Sequence, residues 1–294
     1  MTVRNVPVAD TNFLLRSCGV GPGTPALLLH GVPETSSCWR DVAPALAEGR
    51  RVLAPDLPGL GGSTFSGPYD VVTLVAQVAA LVEAEVPGGR VDVVGHDWGG
   101  VLALGLARDR PDLIRRLVVA NAPGRDVNLL RAAHIPFFAL PVAPELLFRA
   151  AGRRAVEAML ALAWKAPMPL DAETRAEYAA AYSDRQHVHA MLGYYRAATR
   201  DQVRRRLRRS AAPDRRQVRA ERTLVLWGAR DPVLPISCGE ALVRDLGPTC
   251  SMVSVPSAGH FVIEEAPEVV TQVLLDVLGN DAPDREGTPS TGLA

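Results

Sequence analysis

The chain has 294 residues, enough for one large domain or for a core domain carrying an inserted subdomain. Hydrophobic residues make up 48%, so a sizeable core can be filled and wholesale disorder is excluded. Lys and Arg number 32 and Asp and Glu number 32, a formal charge of zero that provides no overall field for nucleic acid or an anionic membrane. A small neutral, hydrophobic substrate is therefore expected first.

Four cysteines, Cys18, Cys38, Cys238 and Cys250, form no CxxC pair and no Cys/His cluster at zinc spacing. They read as free thiols in a reducing compartment. Residues 1–10 lack the basic-then-apolar order of a signal peptide. No apolar run reaches the about 20 residues a membrane span needs. A cytoplasmic location is expected; nothing in the sequence speaks to oligomeric state.

In chain order, the apolar run at 26–29 predicts a buried strand, and 51–54 predicts another. Residues 71–85 have helical apolar spacing. A strand at 91–94 leads through a Gly-rich turn into a helix at 99–108, and 117–120 predicts the next strand. This alternation predicts a parallel sheet with helices on both faces. From about 128 to 219 no strand is evident. Ala-, Leu- and Arg-rich helical segments fill this stretch, broken by Pro136, Pro141, Pro144, Pro167 and Pro169. The alternation then resumes: strand 223–226, helix 237–246, strand 251–255, helix 267–278. The expected organisation is an α/β core at 1–127 and 220–279, a helical cap at 128–219 and a disordered tail at 280–294. The arginine-dense segment 200–222 contains no aromatic residue to stack on bases and reads as a solvated helix face.

Gly95-His96-Asp97-Trp98-Gly99-Gly100 follows a predicted strand and precedes a predicted helix. That is the setting of a nucleophile elbow, a sharp turn that presents a side chain at a helix N-terminus where negative charge is favoured. Here the elbow holds Asp97. Three further motifs also follow strands. His30-Gly31-Val32-Pro33-Glu34 places the Val32 N–H to serve an oxyanion, with the Trp98 N–H as second donor. Asp231 lies in Trp227-Gly228-Ala229-Arg230-Asp231-Pro232. His260 lies in Ser257-Ala258-Gly259-His260-Phe261. The order nucleophile, acid, histidine is that of an α/β-hydrolase.

On these motifs the chain resembles the α/β-hydrolase superfamily and, within it, the epoxide hydrolases and haloalkane dehalogenases. The resemblance implies a mostly parallel eight-stranded sheet with a helical cap inserted after the sixth strand. It also implies a triad of Asp97, Asp231 and His260. Glu34 and His96 belong to the motifs and are expected to support the site. No cofactor or metal is expected.

An aspartate nucleophile narrows the chemistry. A carboxylate attacking an ester would form an anhydride, whereas an epoxide or alkyl halide would give an ordinary ester that water can hydrolyse. An epoxide also needs a proton donor for its leaving oxygen. Gly193-Tyr194-Tyr195-Arg196 resembles the cap motif that provides a tyrosine, which maps the donor to Tyr195. In the stretch 134–141, His134 falls where the family has its other tyrosine, and a histidine can also donate a proton. Phe137, Phe138, Leu140 and Leu147 are expected to line an apolar cap pocket. A dehalogenase would need a second halide donor beside Trp98, and Trp164 is the candidate. The leading expectation is an epoxide hydrolase that forms a vicinal diol. The alternatives are a haloalkane dehalogenase, a hydrolase of specialised metabolism using the same triad, and a non-catalytic binding protein of this fold.

Overall fold

The computed structural model describes residues 1–124, 134–207 and 218–279. The chain opens with strands β1 (Thr2–Val8), β2 (Thr11–Cys18) and β3 (Val20–Leu29), then helix α1 (Ala43–Leu46) and strand β4 (Glu48–Pro55). Helix α2 (Val71–Glu85), strand β5 (Val91–His96), helix α3 (Trp98–Asp109) and strand β6 (Ile114–Ala120) follow. Five helices come next: α4 (His134–Ala139), α5 (Ala143–Ala151), α6 (Arg153–Ala163), α7 (Ala172–Ala181) and α8 (Arg185–Leu207). Strand β7 (Arg222–Gly228), helix α9 (Ile236–Leu246), strand β8 (Cys250–Val255) and helices α10 (Val262–Glu265) and α11 (Pro267–Leu278) complete the described chain.

The strands form one eight-stranded sheet in the order β1-β2-β4-β3-β5-β6-β7-β8. From β4 to β8 all pairings are parallel; β1–β2 and β2–β4 are antiparallel. The run Ala26, Leu27, Leu28, Leu29 is fully buried, as a strand covered on both faces must be. Strands β1 and β2 extend the sheet beyond the expected elements. In β1 only Val6 is buried, so it carries no apolar run that periodicity could detect.

At the end of the sheet opposite the motifs, buried Asp92 of β5 is held by Arg50 of β4 and Arg115 of β6. Arg50, Arg115 and Arg116 also donate to the carbonyl oxygens that end α11, which fastens the last helix to the sheet. An unpaired charge at this depth would cost several kcal/mol, so pairing is obligatory.

Helices α7 and α8 are tied to the core by tyrosine hydroxyls. Tyr178 donates to Glu264 Oε1 (3.0 Å), Tyr182 to the Glu34 carbonyl (2.9 Å) and Tyr194 to the Pro58 carbonyl (2.9 Å). Glu177 of α7 accepts from Thr35, Ser37 and Arg16 of the core. Helices α7 and α8 therefore sit at the carboxyl ends of β3 and β4, with α4 and α5 packed on α8 and α6 on α7. The expected cap boundary at 128 and the expected tail 280–294 lie outside the described residues, while Arg219 lies just before β7. All four cysteines are free. Among the described residues, no helix is long and apolar enough to cross a membrane.

Candidate active site

Asp97 occupies the single residue between β5 and α3, with φ 47° and ψ −116°. A positive φ is strained for a side chain this close to a helix start and persists only when its surroundings hold it. They do so here. The Asp97 N–H donates to the Ala120 carbonyl (3.0 Å), and the Gly99 N–H donates to the His30 carbonyl (3.0 Å). A Cβ on Gly95 would lie 2.3 Å from the Gly99 oxygen, and one on Gly99 would lie 2.2 Å from the Leu29 oxygen. Only glycine fits on either side of the turn. The elbow lifts the Asp97 carboxylate to the loop after β3, where Oδ2 accepts the Val32 N–H at 3.0 Å. The Val32–Pro33 peptide is cis. Trp98 is the first residue of α3, so its backbone N–H belongs to the free N-terminal turn beside the same carboxylate.

His260 and Asp231 come from the loops after β8 and β7. His260 Nδ1–H donates to Asp231 Oδ2 at 2.8 Å, and His260 Nε2 lies 3.9 Å from Asp97 Oδ1. Asp231 Oδ1 accepts the backbone N–H groups of Val233 (2.7 Å) and Leu234 (2.9 Å). Burial would raise the Asp231 carboxyl, but the neighbouring His260 and these donors outweigh it and hold its pKa below the ordinary value. For His260, burial pushes the pKa down, yet the charges of Asp231 and Asp97 raise it overall. His96 opposes that rise.

Asn121, unnoticed in the sequence, completes this arrangement. Its Nδ2 donates to Asp231 Oδ2 (2.6 Å) and to the Gly259 carbonyl (3.4 Å), and its Oδ1 accepts the Gly228 N–H (2.9 Å). It is fully buried and has φ 39°. Its one sequence signal was its place directly after a strand, at the carboxyl edge where open α/β sheets build their sites.

A second buried pair lies behind Asp97, Asp231 and His260. His96 Nδ1 is 2.7 Å from Glu34 Oε2, and His96 Nε2 is 2.8 Å from the His260 carbonyl oxygen. Both partners only accept, so both ring nitrogens carry hydrogen and the ring is an imidazolium. Burial alone would lower the His96 pKa, but the Glu34 carboxylate brings it up to about 9. Glu34 in turn is lowered: burial works against ionisation, and His96 overcomes it. The Gly31 N–H donates to the same Glu34 oxygen (3.1 Å). His30 Nε2 accepts the Leu57 N–H (2.9 Å), so its other nitrogen carries the hydrogen and donates to the Gly31 carbonyl (2.7 Å). These motif residues fix the loops that carry Val32 and His260.

Tyr195 of α8 packs on Trp98, and His134 of α4 packs on Tyr195. The Tyr195 ring stands edge-to-face on Trp98 at 5.2 Å and lies 6.1 Å from His134 and 5.1 Å from Phe138. Burial, then the charge of Asp97, push the Tyr195 phenol well above its usual range. Burial lowers His134. Both groups are therefore neutral donors near pH 7. Tyr194, on the adjacent face, is spent on the Pro58 carbonyl and packs on Trp98. The Trp164 indole N–H donates to the Met168 carbonyl (2.8 Å), and its ring faces Phe261.

The expected apolar lining needs correction. Phe138 is buried beside Tyr195, with Phe148 behind it, but Phe137, Leu140 and Leu147 are exposed. Phe137 and Phe138 stay in ring contact at 5.5 Å, but only Phe138 is covered by α8, which leaves Phe137 at the surface.

Comparison with known proteins agrees with this geometry. The family described as the alpha/beta hydrolase fold matches residues 24–267. An AB hydrolase superfamily protein of Bacillus subtilis, YfhM, is 27% identical over 278 residues, which cover 90% of this chain and 93% of that protein. A soluble epoxide hydrolase of a Corynebacterium species is 43% identical over 126 residues, 42% of this chain and 41% of that protein. The solved structure of the epoxide hydrolase CorEH superposes with a TM-score of 0.78 at 26% identity, covering 94% of this chain and 98% of that one. With one carboxylate at the elbow, a His–Asp pair facing it and this match over most of its length, the chain belongs to the α/β-hydrolase fold family and is an epoxide-hydrolase-like hydrolase.

Proposed function

We propose that the protein hydrolyses an epoxide to a vicinal diol through a covalent ester on Asp97. One observation carries this reading: the elbow carboxylate is an electrostatic neighbour of two neutral proton donors, Tyr195, which packs on Trp98, and His134, which packs on Tyr195. Residues 128–219 act in this reading as a cap that brings those donors over a core formed by 1–127 and 220–279.

The steps balance as follows. An Asp97 oxygen attacks an epoxide carbon, the C–O bond of the ring breaks, and the freed oxygen takes a proton from Tyr195, with His134 as the second donor. The product is a hydroxyalkyl ester of Asp97. A water bound at His260 Nε2, which lies 3.9 Å from Asp97 Oδ1, then loses a proton to that nitrogen and adds to the carboxyl carbon. The oxyanion is held by the N–H groups of Val32 and Trp98. Collapse releases the diol with the proton from His260 and leaves Asp97 as a carboxylic acid, whose proton, the second of the water's two, restores Tyr195. Asp231, braced by Asn121, keeps the imidazole oriented and stabilises its charge.

The names of the Corynebacterium relative and of CorEH support the epoxide reading. Dehalogenation has less support, because the Trp164 N–H is already bound to Met168 and cannot serve a halide.

The test is His260→Gln incubated with epoxides and haloalkanes, followed by intact-protein mass and peptide mapping. An added mass equal to the whole epoxide, on Asp97, is the expected result. An adduct lacking the halogen would move the protein to dehalogenase chemistry, and no adduct from any candidate on a folded protein would overturn covalent catalysis.

A further inference from the structure

Helix α5 is apolar on two sides. Pro144 and Phe148 are buried within the helical insertion. The opposite side carries Ala143, Leu146, Leu147 and Ala150, whose spacing places them in one stripe. Leu146 is 55% exposed and Leu147 41%. The stripe runs back into the preceding turn through Val142, 62% exposed, and Leu140, 48% exposed. Val142 also holds φ 71°, a conformation that glycine or asparagine adopts far more readily. A turn that faces water thus keeps a strained β-branched apolar residue.

Basic residues follow the stripe along the chain. Arg149 lies on α5, and Arg153 and Arg154 begin α6 just past Gly152. All three are exposed, and among the described residues none has an ion-pair or hydrogen-bond partner. Of the two acids on these helices, Glu145 is paired with Arg196 (2.7 Å), which leaves only half-buried Glu157 against three free guanidinium groups. The zero net charge of the chain conceals this local surplus.

We propose that α5 and the turn before it form a docking surface for an anionic lipid layer. A helix lying in a membrane interface needs an apolar stripe to insert and arginines beside it for the headgroups, and α5 has both. A second copy of the chain fits less well, because a two-fold pairing of this patch would bring the same arginines against themselves. An acidic peptide fits less well too, because such partners are taken into grooves, and this is the outer ridge of one helix. The patch adjoins the candidate site: the turn follows α4, which begins at His134. The proposal does not depend on which reaction the site performs.

The test is co-sedimentation of the full-length protein with vesicles of phosphatidylcholine alone and of phosphatidylcholine mixed with phosphatidylglycerol, at low and high salt. The expected result is binding to the mixed vesicles at least about tenfold tighter than to neutral ones, and lost at high salt. Leu146→Glu with Leu147→Glu should abolish it. Arg149→Gln, Arg153→Gln and Arg154→Gln together should weaken it about tenfold. Val72→Glu, on an apolar residue 67% exposed on α2, should leave it unchanged. Circular dichroism melts check that each variant is folded. No binding by the wild-type protein, or equal loss in Val72→Glu, would overturn the proposal. So would a concentration-dependent dimer in light scattering that the leucine variant dissolves without any vesicle binding.

Discussion

His260 brings its Nε2 to 3.9 Å from Asp97 Oδ1, while its Nδ1 is bonded to Asp231 at 2.8 Å. The histidine is thus committed to one carboxylate and separated from the other. A base that directly bonded Asp97 would occupy the lone pair needed for attack. In the proposed reaction this separation leaves Asp97 free for the first step, and His260 Nε2 free to hold a water for the second.

In the proposed reaction the two steps fall to two residues. Asp97→Asn keeps the shape of the site and removes the proposed nucleophile. Steady-state turnover should fall by at least about 10³-fold, and no adduct should appear on intact mass analysis. Comparison with His260→Gln, which should accumulate the adduct, separates loss of attack from loss of hydrolysis.

Tyr195→Phe removes the phenolic proton but keeps a ring against Trp98 and Phe138. Stopped-flow measurement should show formation of the ester slowed about 10²-fold, with its hydrolysis unchanged. His134→Phe should slow the same step by a smaller factor. Equal slowing of both steps by Tyr195→Phe would point to displacement of α8 and not to a lost donor.

Asn121→Gly tests the brace on Asp231, since glycine accepts the positive φ and the change removes only the side-chain bonds. Loss of the bonds to buried Asp231 and Gly228 should lower unfolding stability by about 1.5–3 kcal/mol in denaturant titration. Turnover should drop about tenfold, because the imidazole of His260 loses part of its orientation.

The buried His96–Glu34 pair predicts a pH dependence of stability. His96 has an ordinary value near 6.5 and is raised to about 9 in the fold. Between those values the folded chain holds a proton that the unfolded chain has released, so stability must fall as pH rises through this window. Its contribution is fully present below about 6.5 and gone above about 9. Glu34 is lowered in the fold, so its contribution is present above its ordinary value of 4.5 and lost as pH falls through its folded value. Chemical denaturation across pH should show a decline on the alkaline side that His96→Gln reduces, raised His260 contributing the rest.

Much of the site was readable before any fold was known, because its signals are local. The elbow needs Gly95 and Gly99 around Asp97 for steric reasons confined to a few residues. Asp231 and His260 each sit one loop beyond an apolar run, and the order of the three residues carried the rest. The buried strands announced themselves because a strand covered on both faces is continuously apolar.

Other features depended on residues distant in sequence. Asn121 is 110 residues from the carboxylate it braces, and its short side chain reads as an ordinary loop residue until β6 and β7 pair. Strand β1, with one buried residue, exists because β2 offers it hydrogen bonds. The pairing of His134 with Tyr195 over Trp98 required α4 and α8 to pack together. The same packing turned Phe138 inward and Leu140 and Leu147 to solvent. Composition and periodicity determined which residues could be buried and which could react. Only the tertiary structure decided which apolar residues faced inward, because a short helix with apolar residues on two sides leaves that choice to its neighbours.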